Sequence, residues 1–190
     1  MLDLYMQRAG IKDGMKIVDL GCGWGSVTLH VAKHFPNCQI TSISNSHSQR
    51  EYILNTAKER GYNVDNIRVI TCDASKWEDE AYCAEMLKGV ENNDRVISIE
   101  MFEHMKNYSI LFKKVNSFLA PDGQLFVHVF CHKSHAYHFS KGWMADTFFT
   151  GGTMPSDDLF LYFAEHFSVS SLTRSTFEAC LCTTPHSNTF

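Results

Sequence analysis

Hydrophobic positions along the chain follow two alternating periods. Short apolar runs of strand length are followed by longer runs in which apolar residues recur every three or four positions, as in a helix with one buried face. This alternation predicts strands at 16–20, 39–43, 66–71, 95–99 and 124–130, helices at 26–35, 48–60 and 109–119, and a lead-in helix at 2–9. We therefore expect an α/β fold with a mostly parallel sheet and helices on both faces.

The helix after the second predicted strand carries recognisable end signals. Ser48 is followed three positions later by Glu51, which is the spacing of a capping box, and Gly61 lies where a helix commonly ends. The sequence therefore predicts a helix that is capped at Ser48 and stops before Gly61.

The turn after the first predicted strand is the most informative segment. Asp19 lies near the end of the strand, and Gly21, Gly23 and Gly25 follow at alternate positions. Glycines let the backbone turn tightly and approach a ligand, and a following helix offers unpaired N–H groups. Ser26 stands where a dinucleotide fingerprint has its third glycine, which disfavours a nicotinamide or flavin site. The turn resembles the nucleoside pocket of S-adenosylmethionine (SAM)-dependent methyltransferases, where Asp19 would lie beside the sulfonium; a generic strand-to-helix loop is the alternative.

Polar residues also follow the second and third predicted strands. Asn45 and Gln49 offer amide groups that can hydrogen-bond the hydroxyls of a ribose, although a polar turn that caps the next helix explains them equally well. Asp73 and Ala74 come after the third strand, where the acid can accept a hydrogen bond from an adenine amino group. Because ligands bind at the carboxyl ends of parallel strands, we expect these residues to lie around one site.

Two carboxylates and an imidazole follow the fourth predicted strand. If this segment is helical, Glu100, Glu103 and His104 share one face, because they are spaced at i, i+3 and i+4. Such a group can bind a cationic amine and accept its proton. The alternative is that the acids only stabilise a helix N-terminus through its dipole.

Four histidines and Cys131 lie within eleven residues that begin at His128. On a strand, His128 and His132 share one face while Cys131 and His135 share the other, and the paired C-x₂-C spacing of a structural zinc site is absent. We therefore expect no metal. We expect instead that His128, His132 and the neighbouring Tyr137 line a substrate pocket.

Composition limits the possible classes of protein. A chain of 190 residues with 44% hydrophobic and 20% charged residues is typical of one globular domain. The net charge of −4 gives no reason to expect a nucleic-acid or membrane partner, and no apolar run is long enough to span a bilayer. Seven cysteines, an odd number, suggest reduced thiols. We expect a single cytoplasmic domain without a membrane span.

The most specific strings in the chain are Glu-Met-Phe-Glu-His at 100–104 and Phe-Phe-Thr-Gly-Gly-Thr-Met-Pro at 148–155. Together with the glycine turn, residues 44–46 with Gln49, and the segments 126–133 and 136–139, they resemble the coclaurine N-methyltransferase family. That family methylates amines of plant benzylisoquinoline alkaloids and is related to cyclopropane-fatty-acid synthases. The resemblance runs from about residue 2 to residue 169.

This resemblance implies the class I, Rossmann-like fold of SAM-dependent methyltransferases, SAM as the cofactor and a small-molecule amine as the methyl acceptor. It implies a catalytic pair, Glu103 and His104, and Glu100 as the residue that holds the amine. It further implies SAM contacts at Gly21, Asn45, Gln49, Asp73 and Ile99. The family needs no metal.

The sequence departs from the family in a linker, in its tail and at its N-terminus. Residues 76–93 form a longer linker, which we expect to be a surface insertion with a short helix near 80–87. Residues 167–173 can supply a sixth strand, but residues 175–190 are an unmatched tail.

The family's N-terminal segment, C-terminal helices and final antiparallel strand have no counterpart, so we expect a truncated member. An uncovered sheet edge and exposed Phe160, Tyr162 and Phe163 would then favour self-association.

Three functions are compatible with the sequence. The first is N-methylation of a small-molecule amine by SAM. The second is methylation of a lipid alkene, as in the cyclopropane synthases. The third is a truncated, non-catalytic form that binds SAM or regulates a relative.

Overall fold

The structure, a computed structural model, describes residues 1–147, 149, 151–163, 165, 167–174 and 178–185. The strands are β1 (Lys16–Leu20), β2 (Gln39–Ser44), β3 (Ile67–Thr71), β4 (Asn93–Ile99), β5 (Leu119–Phe130), β6 (Tyr137–His138), β7 (Thr153–Met154), β8 (Phe167–Arg174) and β9 (Glu178–Pro185). The helices are α1 (Leu2–Arg8), α2 (Ser26–His34), α3 (His47–Glu59), α4 (Glu80–Met86), α5 (Tyr108–Phe118) and α6 (Trp143–Thr147).

Seven strands form the main sheet, in the order β3-β2-β1-β4-β5-β9-β8. The first five of these are mutually parallel, and β9 is antiparallel to both β5 and β8. The expected α/β fold with a mostly parallel sheet is confirmed. In such a sheet the carboxyl ends of the parallel strands meet at one edge, which is where this class of fold binds its ligands.

The core consists of two hydrophobic clusters, one on each face of the sheet. Successive side chains of a strand point to opposite faces, so Ile17 of β1 joins one cluster while Val18 joins the other. The cluster that contains Ile17 also contains Val31 of α2 and Ile53 of α3. The cluster that contains Val18 also contains Phe112 of α5. The expected covering of both sheet faces is therefore confirmed.

The predicted elements are present, and most of their ends shift by one or two residues. Strand β5, however, begins at Leu119, five residues before its predicted start at 124, and the predicted capping box is wrong. Helix α3 begins at His47, and Ser46 is its N-cap. The Ser46 hydroxyl accepts a hydrogen bond from the Gln49 backbone N–H at 3.5 Å. Ser48 is consequently already inside the helix, so it cannot form the capping box with Glu51.

The C-terminal tail corrects one expectation. Residues 178–185 form β9, which pairs with β5 from Leu125 opposite Thr183 to Phe130 opposite Glu178. A final antiparallel strand is therefore present, and the edge of β5 is covered. Cys180 and Leu181 are buried on opposite faces of the sheet, which explains the continuous apolar run in this segment.

The predicted sixth strand is confirmed as β8. Residues 175–177 and 186–190 of the predicted tail, and Phe148 and Thr150 of the family string, lie outside the described residues.

The aromatic residues that were expected to be exposed differ from one another. Phe160 is buried, and its ring lies 5.4 Å from Phe102 and 5.1 Å from Tyr108, so the expectation of exposure is wrong for this residue. Tyr162 is 76% exposed, and Phe163 is half-buried against the core.

The short helix expected within residues 76–93 is confirmed as α4. Its segment contributes Trp77, Cys83 and Leu87 to the core. All seven cysteines lie in the described part of the chain and are reduced thiols. None of the helices in that part combines the length and the apolar character needed to cross a bilayer.

Candidate active site

A cavity of about 450 Å³ opens at the carboxyl ends of β1, β2, β3 and β4. We call it the glycine-loop cavity. Eight of the predicted site residues line it: Gly21, Gly23, Asn45, Gln49, Asp73, Ala74, Glu100 and His104. These residues come from four separate segments of the sequence, and the parallel sheet brings them together as expected.

The glycine loop is held in place by β2. The backbone N–H groups of Gly21 and Cys22 both donate to the Ile43 carbonyl, at 2.9 and 3.0 Å. Gly23 has a φ of +52°, and a Cβ at this position would meet no atom within 4 Å, because it would stand in open space. The loop therefore presents bare backbone to the cavity at Gly23.

Gly25 has a different role in the loop. It is the N-cap of α2, with a φ of +82°, and it is buried. A Cβ there would lie 2.5 Å from the side chain of Ile53. Gly25 does not line the glycine-loop cavity, and its lack of a side chain instead allows α2 and α3 to pack closely.

Asp19 points away from the glycine-loop cavity. It is buried, and its carboxylate accepts hydrogen bonds from the Thr28 backbone N–H at 3.1 Å and the Thr28 hydroxyl at 2.6 Å. Burial raises the pKa of Asp19 to about 6, against the opposite effect of these two hydrogen bonds. Asp19 therefore ties the end of β1 to the first turn of α2, beneath the loop.

The side chains after β2 form a polar wall of the cavity. Ser44 donates a short hydrogen bond from its hydroxyl to the amide oxygen of Gln49, and the same hydroxyl accepts from the Ser46 backbone N–H at 3.1 Å. These bonds fix the Gln49 amide at the cavity. Asn45 is exposed there and offers a second amide.

The turn after β3 is shaped by Asp73 and by helix α4. One carboxylate oxygen of Asp73 accepts from the Ser75 backbone N–H at 3.0 Å and the Ser75 hydroxyl at 2.7 Å. The Asp73 backbone N–H donates to the Tyr82 hydroxyl at 2.8 Å. Tyr82 lies on α4, so the segment that the sequence suggested was a surface insertion helps to hold the cavity wall.

Glu100 and His104 form another wall of the glycine-loop cavity. Glu100 has a φ of +51°, which is uncommon for a residue with a side chain, and its N–H donates to the His128 carbonyl at 2.8 Å. The His104 ring stacks on Phe149 with centroids 5.0 Å apart. Burial lowers the pKa of His104, so the imidazole is neutral at pH 7 and can accept a proton.

Glu103 does not share the face of Glu100 and His104. The segment is not an α-helix, because Phe102–His104 forms a 3₁₀ turn. Glu103 is fully buried, and one carboxyl oxygen accepts from the Phe130 backbone N–H at 3.0 Å. The other oxygen has no hydrogen-bond partner among the described residues. Burial chiefly, and the charge of Glu100 to a lesser extent, raise the pKa of Glu103 to about 8.

The remaining predicted site residues lie outside the lining of the glycine-loop cavity. His128 is buried, with its Nδ1 3.3 Å from the Tyr5 hydroxyl. His132 accepts from the backbone N–H of His135 at 3.0 Å, and Tyr137 lies exposed on the two-stranded ribbon of β6 and β7. Ile99 ends β4 and packs at the margin of the core. Their contacts with substrate or cofactor stay predictions.

Seven further residues outside the predicted set of site residues line the cavity: Leu20, Ile43, Ser44, Cys72, Ser75, Met101 and Met105. Ser44 ends β2 and Cys72 follows β3 directly, so position after a strand was the signal that could have identified them. Met101 lies two residues after β4 and carries the same signal, whereas the placement of Met105 depends on the unusual backbone at Glu100.

Comparison with known proteins identifies the family to which the sequence belongs. Residues 1–178 match the family model described as mycolic acid cyclopropane synthetase. The (S)-coclaurine N-methyltransferase of Thalictrum flavum subsp. glaucum is 41% identical over 175 residues, which are 89% of this chain and 45% of the relative. The pavine N-methyltransferase of the same plant is also 41% identical, over 89% of this chain and 46% of its own length.

A solved structure is similar as well. The crystal structure of coclaurine N-methyltransferase bound to N-methylheliamine and SAH aligns with a TM-score of 0.77 at 39% identity, over 91% of this chain and 49% of that chain. The chain spans about half the length of the curated relatives it matches. It belongs to the mycolic acid cyclopropane synthetase family, is a relative of the coclaurine N-methyltransferases, and has the fold of SAM-dependent methyltransferases.

Proposed function

We propose that this chain carries the cofactor site and part of the acceptor site of a SAM-dependent N-methyltransferase that acts on a small-molecule amine. The observation that carries the proposal is the juxtaposition of the bare backbone at Gly23 with Glu100 and His104 around one cavity. The similarity to coclaurine and pavine N-methyltransferases supports an amine as the acceptor.

The residues around the cavity suit SAM. The open space at Gly23 admits a ligand where a side chain would block it. The amides of Asn45 and Gln49 can bond the ribose hydroxyls, and Asp73, beside Ala74, can accept from the adenine amino group. Bound SAM would supply a methyl group on a positively charged sulfonium. Asp19 and Gly25 contribute in this proposal by holding the loop in place, and Ile99, at the end of β4, remains a proposed SAM contact.

The acid and imidazole groups bind the cationic amine and accept its proton. An alkylamine is mostly protonated at pH 7, and only its neutral form is a nucleophile. Glu100, which is exposed at the cavity, attracts the cationic amine, and neutral His104 accepts its proton. The rest of the rate enhancement comes from holding the two reactants in contact at the correct angle.

Glu103 belongs to the same proposed catalytic set, behind this wall. At pH 7 its carboxyl group is mostly protonated, because its pKa is raised to about 8. The protonated carboxyl group can donate a hydrogen bond from the oxygen that has no partner among the described residues. His128, His132 and Tyr137 are the proposed contacts for the more distant parts of the acceptor.

Two experiments test this proposal in sequence. Isothermal titration with SAM and S-adenosylhomocysteine measures cofactor binding, and we expect both to bind at one site per chain. A screen with radiolabelled SAM over secondary amines, primary amines and phospholipids then identifies the acceptor. Absence of SAM binding would contradict the proposed cofactor site. Label on phospholipid alone would contradict the proposal that the acceptor is an amine.

Another function has an observation in its favour. The match of residues 1–178 to the cyclopropane synthetase family favours a lipid alkene as acceptor. A third function, a non-catalytic form that binds SAM or regulates a relative, would be supported by SAM binding without methyl transfer to any acceptor in the screen.

Two properties of the molecule support further parts of the proposal. The seven reduced thiols agree with a cytoplasmic location, which fractionation of the source cells can test. Tyr162 and Leu161 are 76% and 42% exposed next to each other, and they are candidates for a self-association surface. Light scattering at increasing concentration measures that association.

A further inference from the structure

Three side chains of types that can ligate a metal lie together on the surface where α1 contacts α2. His30 and His34 are four positions apart on α2, so they lie on the same face, and their ring centroids are 4.4 Å apart. Asp3 of α1 reaches this pair, with a carboxylate oxygen 3.0 Å from Nε2 of His30. One potential ligand atom from each of the three residues lies within 4.8 Å of the others.

We propose that Asp3, His30 and His34 form a binding site for Zn²⁺ or a similar divalent transition-metal ion. Two imidazole nitrogens and a carboxylate oxygen are ligands that zinc takes in proteins, at about 2.0–2.2 Å. A tetrahedral ion at these distances needs its ligand atoms about 3.5 Å apart, and the three atoms now lie within 4.8 Å of one another. Asp3 and His34 are exposed and can rotate inwards, while the hydrogen bond from His30 to Asp3 already holds two of the ligands close.

The surroundings leave room for the ion and its water. A concavity of about 390 Å³ is lined by the three ligands together with Met6 and Phe35. A water molecule in this space completes a tetrahedral set of four ligands. Lys33 is the nearest cation along α2, but it is exposed and can extend away from the site.

The ion would clamp α1 onto the body of the domain. Helix α1 already contacts the sheet through Tyr5, whose hydroxyl lies 3.3 Å from Nδ1 of His128, and the Ala9 carbonyl after it accepts from Arg95 at 2.7 Å. A metal that binds only when Asp3 is docked on α2 stabilises this arrangement. The proposal is independent of the methyl-transfer function. It also differs from the sequence expectation of no metal, which rested on the spacing of the histidines from His128 onwards and on the family resemblance.

The test uses the full chain without a histidine tag. Isothermal titration with zinc chloride should show one ion per chain, and the melting temperature should rise with zinc concentration. At a zinc concentration one hundred times Kd, the folding equilibrium should shift about a hundredfold, or about 2.7 kcal/mol. Cobalt substitution should give tetrahedral d–d bands without a thiolate charge-transfer band.

Variants identify the ligands. His34→Ala and Asp3→Asn each alter an exposed side chain, so they should fold normally and weaken zinc binding at least tenfold. The double variant His30→Ala/His34→Ala should abolish binding. The control His132→Ala/His135→Ala removes two exposed histidines from another surface and should bind zinc like the wild type. Unchanged affinity in both His34→Ala and Asp3→Asn, or loss of binding in the control, would overturn the proposal.

Discussion

The carboxylate of Asp19 accepts both the backbone and the hydroxyl hydrogen bonds of Thr28, at 3.1 and 2.6 Å. The Thr28 hydroxyl also lies 2.7 Å from the hydroxyl of Ser42 on β2. This three-residue network joins β1, β2 and α2 directly beneath the glycine loop. Asp19 therefore supports the glycine loop from behind and does not line the glycine-loop cavity.

The first prediction concerns this network. Thr28→Val keeps the shape of the side chain but removes its hydroxyl, which leaves the buried Asp19 carboxylate with fewer donors. We expect a loss of about 1–3 kcal/mol in the free energy of unfolding, measured by urea denaturation.

Thr183→Val is the matched control for this prediction. Thr183 is also fully buried, and its hydroxyl has no hydrogen-bond partner among the described residues, so its removal should be neutral or stabilising. Equal losses in the two variants would mean that the Asp19 network contributes nothing specific.

The second prediction separates ligand exclusion from backbone strain. Gly23 and Gly61 both have a positive φ, +52° and +70°, and at both positions a Cβ would stand in open space. Valine at either position should cost stability, because a β-branched side chain is strained in the left-handed region. Only Gly23→Val should abolish binding of S-adenosylhomocysteine in isothermal titration, because Gly23 lines the cavity. Binding by Gly23→Val with unchanged affinity would remove this loop from the cofactor site.

The third prediction concerns pH and Glu103. Its pKa in the folded protein is raised from 4.5 to about 8, so between these values the folded state holds a proton that the unfolded state has lost. This group therefore lowers stability as the pH rises through that window, by up to about 1.4 kcal/mol per pH unit, and has no further effect above it. Glu103→Gln cannot ionise and should lack this decline.

Urea denaturation of both proteins between about pH 5 and 9 measures the difference. We expect Glu103→Gln to be more stable than the wild type at pH 8 and above, because no buried charge has to form. Parallel curves for the two proteins would show that the Glu103 carboxyl group has an ordinary pKa.

Much of the site follows from sequence pattern because it depends on a simple geometric rule. In a parallel sheet, the residues that follow the strands meet at one edge. Apolar periodicity located the strands, so residues as distant as Gly23, Asn45, Asp73 and Glu100 could be assigned to one cavity. The direction of Asp19 was also accessible in principle, since alternation places it on the opposite face from Val18.

Other features depend on interactions that local pattern does not encode. Glu103 faces the interior because Glu100 adopts a positive φ and the next residues form a 3₁₀ turn, whereas the prediction assumed an α-helix. Strand β9 inserts between β5 and β8, and so pairs with residues far away in sequence. Its apolar run is visible in the sequence, but the partner strand is not.

The last prediction concerns catalysis by His104. If its imidazole accepts the proton of the amine, His104→Ala should lower kcat for methyl transfer by about 10²–10⁴-fold and leave the affinity for S-adenosylhomocysteine nearly unchanged. Because burial lowers the pKa of His104, the wild-type rate should fall only below the ordinary imidazole pKa of 6.5. The exposed His47→Ala is the matched control and should keep full activity.

The pH dependence of the variants decides between proton transfer and pocket shape. Raising the pH towards the pKa of the amine should partly restore the rate of His104→Ala, since the solvent then supplies the neutral nucleophile. Glu103→Gln should also slow transfer, and the double variant should lose less than the product of the two single losses if the residues act as one unit. A deficit in His104→Ala that stays constant from about pH 7 to 10 would mean that this ring, stacked on Phe149, only shapes the acceptor pocket. Catalysis would then rest on proximity alone.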